Sequence, residues 1–213
     1  MNDSLSASLK RIAWGWILLH CNFNFGTLNI LPDWLGYIMI LNGLAAVSKT
    51  VRSASLLYSF GIGLALWDFA GWFFALFGAS IPGIWLSLFA AVVGLYFRFQ
   101  LLTDLAGLAD AWNCEQGNSL RKLRTIETIA TTVLQMTISG KHSYTLVELL
   151  DETFWGYLFV IVLLVGFIAT VCIAHQLFSL QKDIAYYTEP QPIPISSYTQ
   201  PEEKPQEPDD PTE

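Results

Sequence analysis

Charged residues are scarce in this chain. Of its 213 residues only 14% are Asp, Glu, Lys or Arg, whereas 53% are hydrophobic, and the mean hydropathy is +0.44. Soluble domains carry about 25% charged residues, so the composition argues against an ordinary soluble domain and predicts an integral membrane protein in contact with the lipid bilayer. The chain also lacks a basic patch of the size that binds nucleic acid, and we expect no nucleic-acid partner.

Cysteine and catalytic motifs are equally sparse. The three cysteines, Cys21, Cys114 and Cys172, lie far apart and form no CxxC pair or His/Cys metal spacing, which argues against a disulfide framework and a zinc site. No Ser/His/Asp order, HExxH, P-loop or glycine-rich nucleotide motif occurs. The sequence therefore predicts no cofactor, no metal and no catalytic residue, and an enzyme is the class it supports least.

Proline is nearly absent from residues 1–185. Seven of the nine prolines lie in residues 186–213, together with seven acidic residues and one lysine. Such a segment cannot bury a core. We therefore predict a transmembrane domain over 1–185 and a disordered, acidic, proline-rich tail over 186–213. The tail either docks a partner through its proline motifs or only solubilises the chain.

The chain is rich in apolar segments, which predict an all-α, polytopic transmembrane helical bundle. The first two segments are short or broken, because about 20 apolar residues are needed to span a bilayer; they form either short tilted spans or a re-entrant hairpin. The fifth is ambiguous between a crossing inside the bundle, which we favour, and a surface helix. The six segments are about 12–30, 34–47, 56–77, 84–102, 120–139 and 154–177.

The basic residues predict an orientation. Lys10 and Arg11 precede the first segment, and Lys49 and Arg52 follow the second. These pairs fall on the same side of the membrane, which the positive-inside rule makes cytoplasmic. We predict a multi-pass protein of the plasma or inner membrane with a cytoplasmic N-terminus. The side of the tail depends on whether 120–139 crosses.

Polar residues interrupt the broken first two segments. The asparagines together with Asp33 either line a small polar cavity, as discontinuous helices do in transporters, or form hydrogen bonds between helices, which we favour. Asp33 is also placed to cap the helix that follows it. The asparagines are Asn22, Asn24, Asn29 and Asn42.

Asp68 is the strongest single candidate for a functional residue, because it lies near the middle of the third segment. A carboxylate at that depth costs about 2.5–3.5 kcal/mol on insertion scales. It is therefore either a proton or cation site or the acceptor of a structural hydrogen bond. Arg98, near one end of the fourth segment, is expected to extend towards the membrane surface; an ion pair with Asp68 is the less favoured alternative.

Two further patterns concern helix packing. Small residues spaced four apart (Gly83, Ser87 and Ala91; Gly166, Thr170 and Ala174) predict closely packed helices. Beyond residue 102 an apolar stripe predicts that the fourth helix continues as an amphipathic extension, with Asp104 and Asp110 off the stripe. The stripe is Leu101, Leu105, Leu108 and Trp112.

The stretch from Asn22 to Leu44 resembles the N-terminal signature of a group of small multi-pass membrane proteins of Firmicutes. The likeness lies in an asparagine-containing first segment followed by Leu31-Pro-Asp33, Gly36-Tyr37 and Gly43-Leu44. It covers about a fifth of the chain, and the tail lies outside it. The resemblance implies a membrane protein without an assigned activity and supplies no catalytic residue.

Two functional hypotheses follow. The first, slightly favoured, is a structural or regulatory protein that binds another membrane protein through its small-residue helix faces and its tail. The second is a small transporter, or an ion- or proton-coupled module, centred on Asp68 and the broken segment Asn22–Asn42. Because five or six short spans enclose little space, the second hypothesis also requires a homo-oligomer.

Overall fold

The computed structural model describes residues 2–20, 24–25, 28–29, 32–79, 84–140 and 152–186. In this part of the chain the fold is helical apart from one antiparallel pair of two-residue strands, β1 (Asn24–Phe25) and β2 (Leu28–Asn29). A 3-10 helix, Arg52–Ser55, precedes the third α-helix. The α-helices are α1 (Asn2–His20), α2 (Asp33–Val47), α3 (Leu57–Leu76), α4 (Ile84–Ala111), α5 (Gln116–Gly140) and α6 (Glu152–Tyr186). The predicted all-α class is confirmed.

The helices pack in chain order. Each helix contacts the next one along the chain. The last helix, α6, also contacts α1 and so closes the bundle. Gln181, near the end of α6, donates a hydrogen bond to Ser6 Oγ, near the start of α1, at 2.9 Å. The beginning of α1 and the end of α6 therefore lie at the same end of the bundle.

The contact between α1 and α2 is close because glycines face backbone across it. A Cβ on Gly15 would lie 2.7 Å from the Gly36 carbonyl oxygen, and one on Gly43 would lie 2.6 Å from the Ser8 carbonyl oxygen. Real Cβ atoms do not approach backbone so closely, so no other residue fits without moving the helices. Gly36 and Gly43 belong to the motif of the second segment, and the structure gives both a packing role.

One half of the bundle is compact. We call it the compact half: it holds the first part of α1, the second half of α2, the start of α3, the second half of α4, the start of α5 and the end of α6. Fully buried leucines from every helix meet there: Leu9, Leu44, Leu57, Leu105, Leu120 and Leu180. Hydrogen bonds also cross between its elements, from Ser53 Oγ to Asp104 Oδ1 (2.6 Å), from Gln116 Nε2 to Asp183 Oδ2 (2.5 Å), and from Gln181 to Ser6.

The remaining parts of the six helices form the other half of the bundle, which we call the open half. Its outer surface is apolar. Large side chains stand exposed there on α3, α4 and α6, including Phe73, Trp85, Phe89, Val160 and Phe167. Among the described residues three stretches are long and apolar enough to cross a membrane: Arg52–Leu76, Trp85–Ala111 and Gly156–Tyr186. Helix α2 is apolar but shorter. This composition is compatible with a membrane protein.

The helix bounds can be compared with the predicted membrane segments, whose crossing of a membrane stays a prediction. The second and third segments match α2 and α3 to within one residue, and α4 continues through the predicted amphipathic extension. The first helix, however, begins at Asn2 and ends at His20, and strands follow it where the prediction continued the segment to residue 30. It begins early because apolar residues four and three apart, Leu5, Leu9 and Ile12, give the polar start of the chain one buried face.

Two local details also differ from the predictions. Asp33 is the first residue of α2 rather than its cap; Pro32 precedes it and makes no side-chain capping bond. Asp104 is buried, with 2% of its surface exposed, because Ser53 and Gln100 both donate hydrogen bonds to it. The fifth segment packs between α4 and α6, and its crossing stays a prediction.

Candidate functional site

Two cavities lie between the helices where the compact half gives way to the open half. The first, of about 270 Å³, is lined by residues of α1, α2, α3 and α4. Its charged lining is Asp33 from α2, Asp68 from α3 and Arg98 from α4, with the Tyr37 side chain beside them. Three of the residues that the sequence singled out thus share one cavity.

Helix register brings these side chains together. Asp33 lies in the first turn of α2, where its charge complements the helix dipole. Asp68 lies in the second half of α3, which runs alongside α2, and it interacts electrostatically with both Asp33 and Arg98. Two carboxylates therefore face the same cavity as one guanidinium group, and the cavity carries an excess of negative charge when both acids are ionised.

The small residues of α4 line this cavity too. Ser87, Ala90, Ala91 and Gly94 form the wall beside Asp68. The sequence predicts close packing for this pattern, yet a Cβ on Gly94 would meet its nearest neighbours, on Leu64 and Tyr37, only at 3.8 Å. In this helix the small side chains leave room for the cavity.

The second cavity is larger, about 510 Å³, and lies mainly between α5 and α6. Its lining includes the polar residues His20, Arg98, Glu127, Thr131 and Gln135, together with Leu134 and apolar side chains of α6. The second small-residue pattern, which is Gly166, Thr170 and Ala174, also lines this cavity. Arg98 contributes to both cavities and so stands between them.

Glu127 holds Arg98 in this position. The distance from Arg98 Nη1 to Glu127 Oε1 is 3.3 Å, and the Glu127 side chain is only 2% exposed. Thr131 Oγ1 donates a hydrogen bond to the same carboxylate oxygen at 3.2 Å. Arg98 Nε donates to the Gly94 carbonyl oxygen at 3.4 Å. The favoured prediction, that Arg98 extends towards the membrane surface, is therefore wrong. The side chain instead contacts Glu127 and the Gly94 carbonyl oxygen inside the bundle.

His20 completes the cluster from the last turn of α1. Its Nδ1 lies 2.9 Å from the Trp16 carbonyl oxygen, and since a carbonyl only accepts, Nδ1 carries the hydrogen. Its Nε2 lies 4.0 Å from Glu127 Oε1. Nε2 therefore faces the Glu127 carboxylate, and the two groups form an ion pair when the ring is protonated.

The remaining predicted residues do not join the site. Asn42 is exposed on α2 and lines neither cavity. Asn24 and Asn29 pair through their backbones in the two strands, and Asn22 lies outside the described residues. Within the described ranges no group of three or more His, Cys, Asp or Glu side chains is arranged to hold a metal ion.

His20, Tyr37 and Glu127 were not predicted as functional residues from the sequence. Glu127 carried a signal, since it is an acid within a segment expected to be buried, but the threonines around it made that segment look weak. A comparison of the chain with protein-family models, with curated proteins and with solved structures finds no match. The resemblance of Asn22–Leu44 to small membrane proteins of Firmicutes stays a prediction.

Proposed function

We propose that this protein is a multi-pass protein of the plasma or inner membrane, with the compact half at the cytoplasmic side. The support is charge, because eight basic side chains belong to that half: Lys10, Arg11, Lys49, Arg52, Arg121, Lys122, Arg124 and Lys182. The positive-inside rule then makes the beginning of α1 and the end of α6 cytoplasmic. Fusing a reporter that is active only in the cytoplasm to either chain end tests this orientation, and an inactive fusion at either end contradicts it.

Within that membrane protein, we propose a proton- or cation-coupled transport module centred on Asp68. The observation that carries this proposal is the shared cavity of Asp33, Asp68 and Arg98. Buried carboxylates are stable in an apolar bundle only when a proton, a cation or a paired base neutralises them. Because Arg98 is paired with Glu127, it compensates the charge of Asp68 only in part, and Asp68 favours a proton or a mobile cation.

The alternative proposal is a structural or regulatory protein that binds another membrane protein through its small-residue helix faces and its tail. Of those faces, Ser87 and Ala91 line the first cavity, and Gly166, Thr170 and Ala174 line the second. Residues 187–213 of the tail lie outside the described residues.

A liposome flux assay tests the transport proposal. Purified protein is reconstituted, and proton, sodium and potassium movements are followed with ion-sensitive dyes under an imposed gradient. We expect flux of at least one cation above that of protein-free liposomes, and a loss of about tenfold or more in Asp68→Asn, because the neutral amide cannot release a proton or attract a cation.

Asp110→Asn is the matched control for this assay. It makes the same chemical change at an exposed acid of the compact half, where Asp110 is paired with Arg121, and we expect it to keep the wild-type flux. Equal flux in Asp68→Asn and wild type, or no flux above the protein-free background, would contradict the proposal.

A further inference from the structure

One arginine at the edge of the compact half, Arg124 on α5, is held against α4. Its Nη1 donates a hydrogen bond to Thr103 Oγ1 at 2.7 Å, and Thr103 Oγ1 in turn donates to the Phe99 carbonyl oxygen at 2.8 Å. The guanidinium carbon lies 4.3 Å from the centre of the Phe99 ring, a distance at which a cation is attracted to the face of a ring. The guanidinium group is therefore fixed in position by contacts that carry no charge.

The charge of Arg124 is not neutralised by the described part of the chain. Two other arginines of α4 and α5 form ion pairs, Arg98 with Glu127 and Arg121 with Asp110, whereas no carboxylate of the described residues lies within ion-pair distance of Arg124. Nε of Arg124 is buried, but Nη2 is neither buried nor hydrogen-bonded to the described residues. Both donors of Nη2 therefore remain for an anion.

Arg124 lies where the basic surface of the compact half meets the apolar surface of the open half. On the side of the compact half, Arg121 and Lys122 precede it on α5. On the side of the open half, within two helical turns of Arg124 on α5 or of Phe99 on α4, four apolar side chains are at least 44% exposed. They are Val92, Tyr96, Ile126 and Ile129.

The chemistry of a guanidinium group at this boundary defines the ligand. Its planar fork binds two oxygens of a phosphate at once, with hydrogen bonds that the opposite charges strengthen. A phospholipid presents such a phosphate beside apolar chains, and those chains can cover the exposed side chains of α4 and α5. A soluble phosphate gains nothing from the apolar surface.

We propose that Arg124 binds the phosphate of an anionic phospholipid of the cytoplasmic leaflet, with the acyl chains against the exposed apolar side chains of α4 and α5. That leaflet is the one rich in anionic lipids. The assignment to this leaflet rests on the proposed orientation of the compact half, whereas the binding itself requires neither that orientation nor transport. An inactive cytoplasmic reporter would therefore change the leaflet and leave the binding intact.

Native mass spectrometry of the full-length protein in detergent tests this site, with dioleoylphosphatidylglycerol and dioleoylphosphatidylcholine titrated separately. The two lipids share their chains and differ in the charge of the head group. We expect the first phosphatidylglycerol molecule to bind about fivefold more tightly or better, because each basic residue near a surface attracts an anionic lipid by roughly that factor. Inorganic phosphate, added at the same concentration, should not displace it.

Three variants locate the site. Arg124→Gln should weaken phosphatidylglycerol binding about tenfold, because it removes a charge-assisted hydrogen bond to the phosphate. Phe99→Leu keeps every charge but removes the ring that supports the guanidinium group, and it should weaken binding about threefold. Arg11→Gln is the matched control: it removes the same charge from an exposed arginine of the compact half, on α1, and should bind like wild type.

Equal affinity of the wild-type protein for the two lipids would overturn the proposal, and so would unchanged affinity in Arg124→Gln. Equal losses in Arg11→Gln and Arg124→Gln would overturn it in favour of a general attraction to basic residues. Displacement of the lipid by an equal concentration of inorganic phosphate would show a site for a free anion instead. If Arg124→Gln does not fold, Phe99→Leu and the comparison of lipids and phosphate on the wild-type protein still decide the matter.

Discussion

Arg98 is the residue on which the polar interior depends. It lines both cavities, its guanidinium group pairs with Glu127 at 3.3 Å, and the two side chains are 19% and 2% exposed. Removing one partner of such a buried pair leaves the other charge without compensation, at a cost of about 3–5 kcal/mol, whereas replacing both partners with apolar residues is often neutral. Replacing either residue alone is therefore expected to destabilise the protein more than replacing both.

A double-mutant cycle tests this coupling. We expect Arg98→Met to lower the free energy of unfolding by about 3 kcal/mol, and Arg98→Met combined with Glu127→Leu to recover most of that loss. The measurement is unfolding of the purified protein in mixed micelles by increasing sodium dodecyl sulfate. Additive losses in the double variant, or a loss below about 1 kcal/mol in the single variant, would show that the pair is not coupled.

At this scale the sequence predicted part of the site. Asp68 stood out because an acid in an apolar segment is costly, and Asp33 because of its place in the broken stretch; both line the first cavity. The partner of Arg98 was missed for a physical reason. Which acid neutralises a buried base depends on which helices adjoin, and nothing in the residues around Arg98 distinguishes Glu127 on α5 from Asp68 on α3.

At the scale of elements, the contact between α1 and α2 depends on glycine. We expect Gly43→Val to destabilise the protein by about 2–3 kcal/mol, because its Cβ would lie 2.6 Å from the Ser8 carbonyl oxygen and overpacking at this level costs about that much. Thermal unfolding of the purified protein, followed by the loss of monodisperse material, measures the effect.

Gly63 offers the matched control for this prediction. It also lies inside a helix, α3, but nothing lies within 4 Å of where its Cβ would be. Gly63→Ala should therefore stabilise the protein by about 0.5–1 kcal/mol through helix propensity alone. If Gly43→Val were tolerated as well as Gly63→Ala, the close approach of α1 and α2 would be wrong.

The same pattern of small residues has different outcomes in different helices. Gly36 and Gly43 let two backbones approach, whereas Ser87, Ala91 and Gly94 border a cavity. A small side chain permits either outcome, and the large residues on the facing helix decide between them. The sequence thus predicted where helices have small faces but not what occupies the space.

At the scale of the whole molecule, the bundle is asymmetric. The compact half carries the buried leucines and the basic residues, the open half carries exposed apolar side chains, and both cavities lie between them. This arrangement suits a membrane protein with its polar interior at the depth where the two halves meet. The transport proposal requires that the cavity beside Asp68 hold water while the outer face of α4 contacts lipid.

Labelling of adjacent cysteines on α4 tests this requirement. In a chain with Cys21, Cys114 and Cys172 replaced by serine, Ala91→Cys faces the first cavity, whereas Val92→Cys replaces a side chain that is 59% exposed on the outside. Because thiosulfonate reagents attack the thiolate, which forms only in contact with water, a membrane-impermeant charged thiosulfonate should label Ala91→Cys in intact membranes and leave Val92→Cys unlabelled. Labelling of Val92→Cys without Ala91→Cys, or equal labelling of the two, would contradict the account.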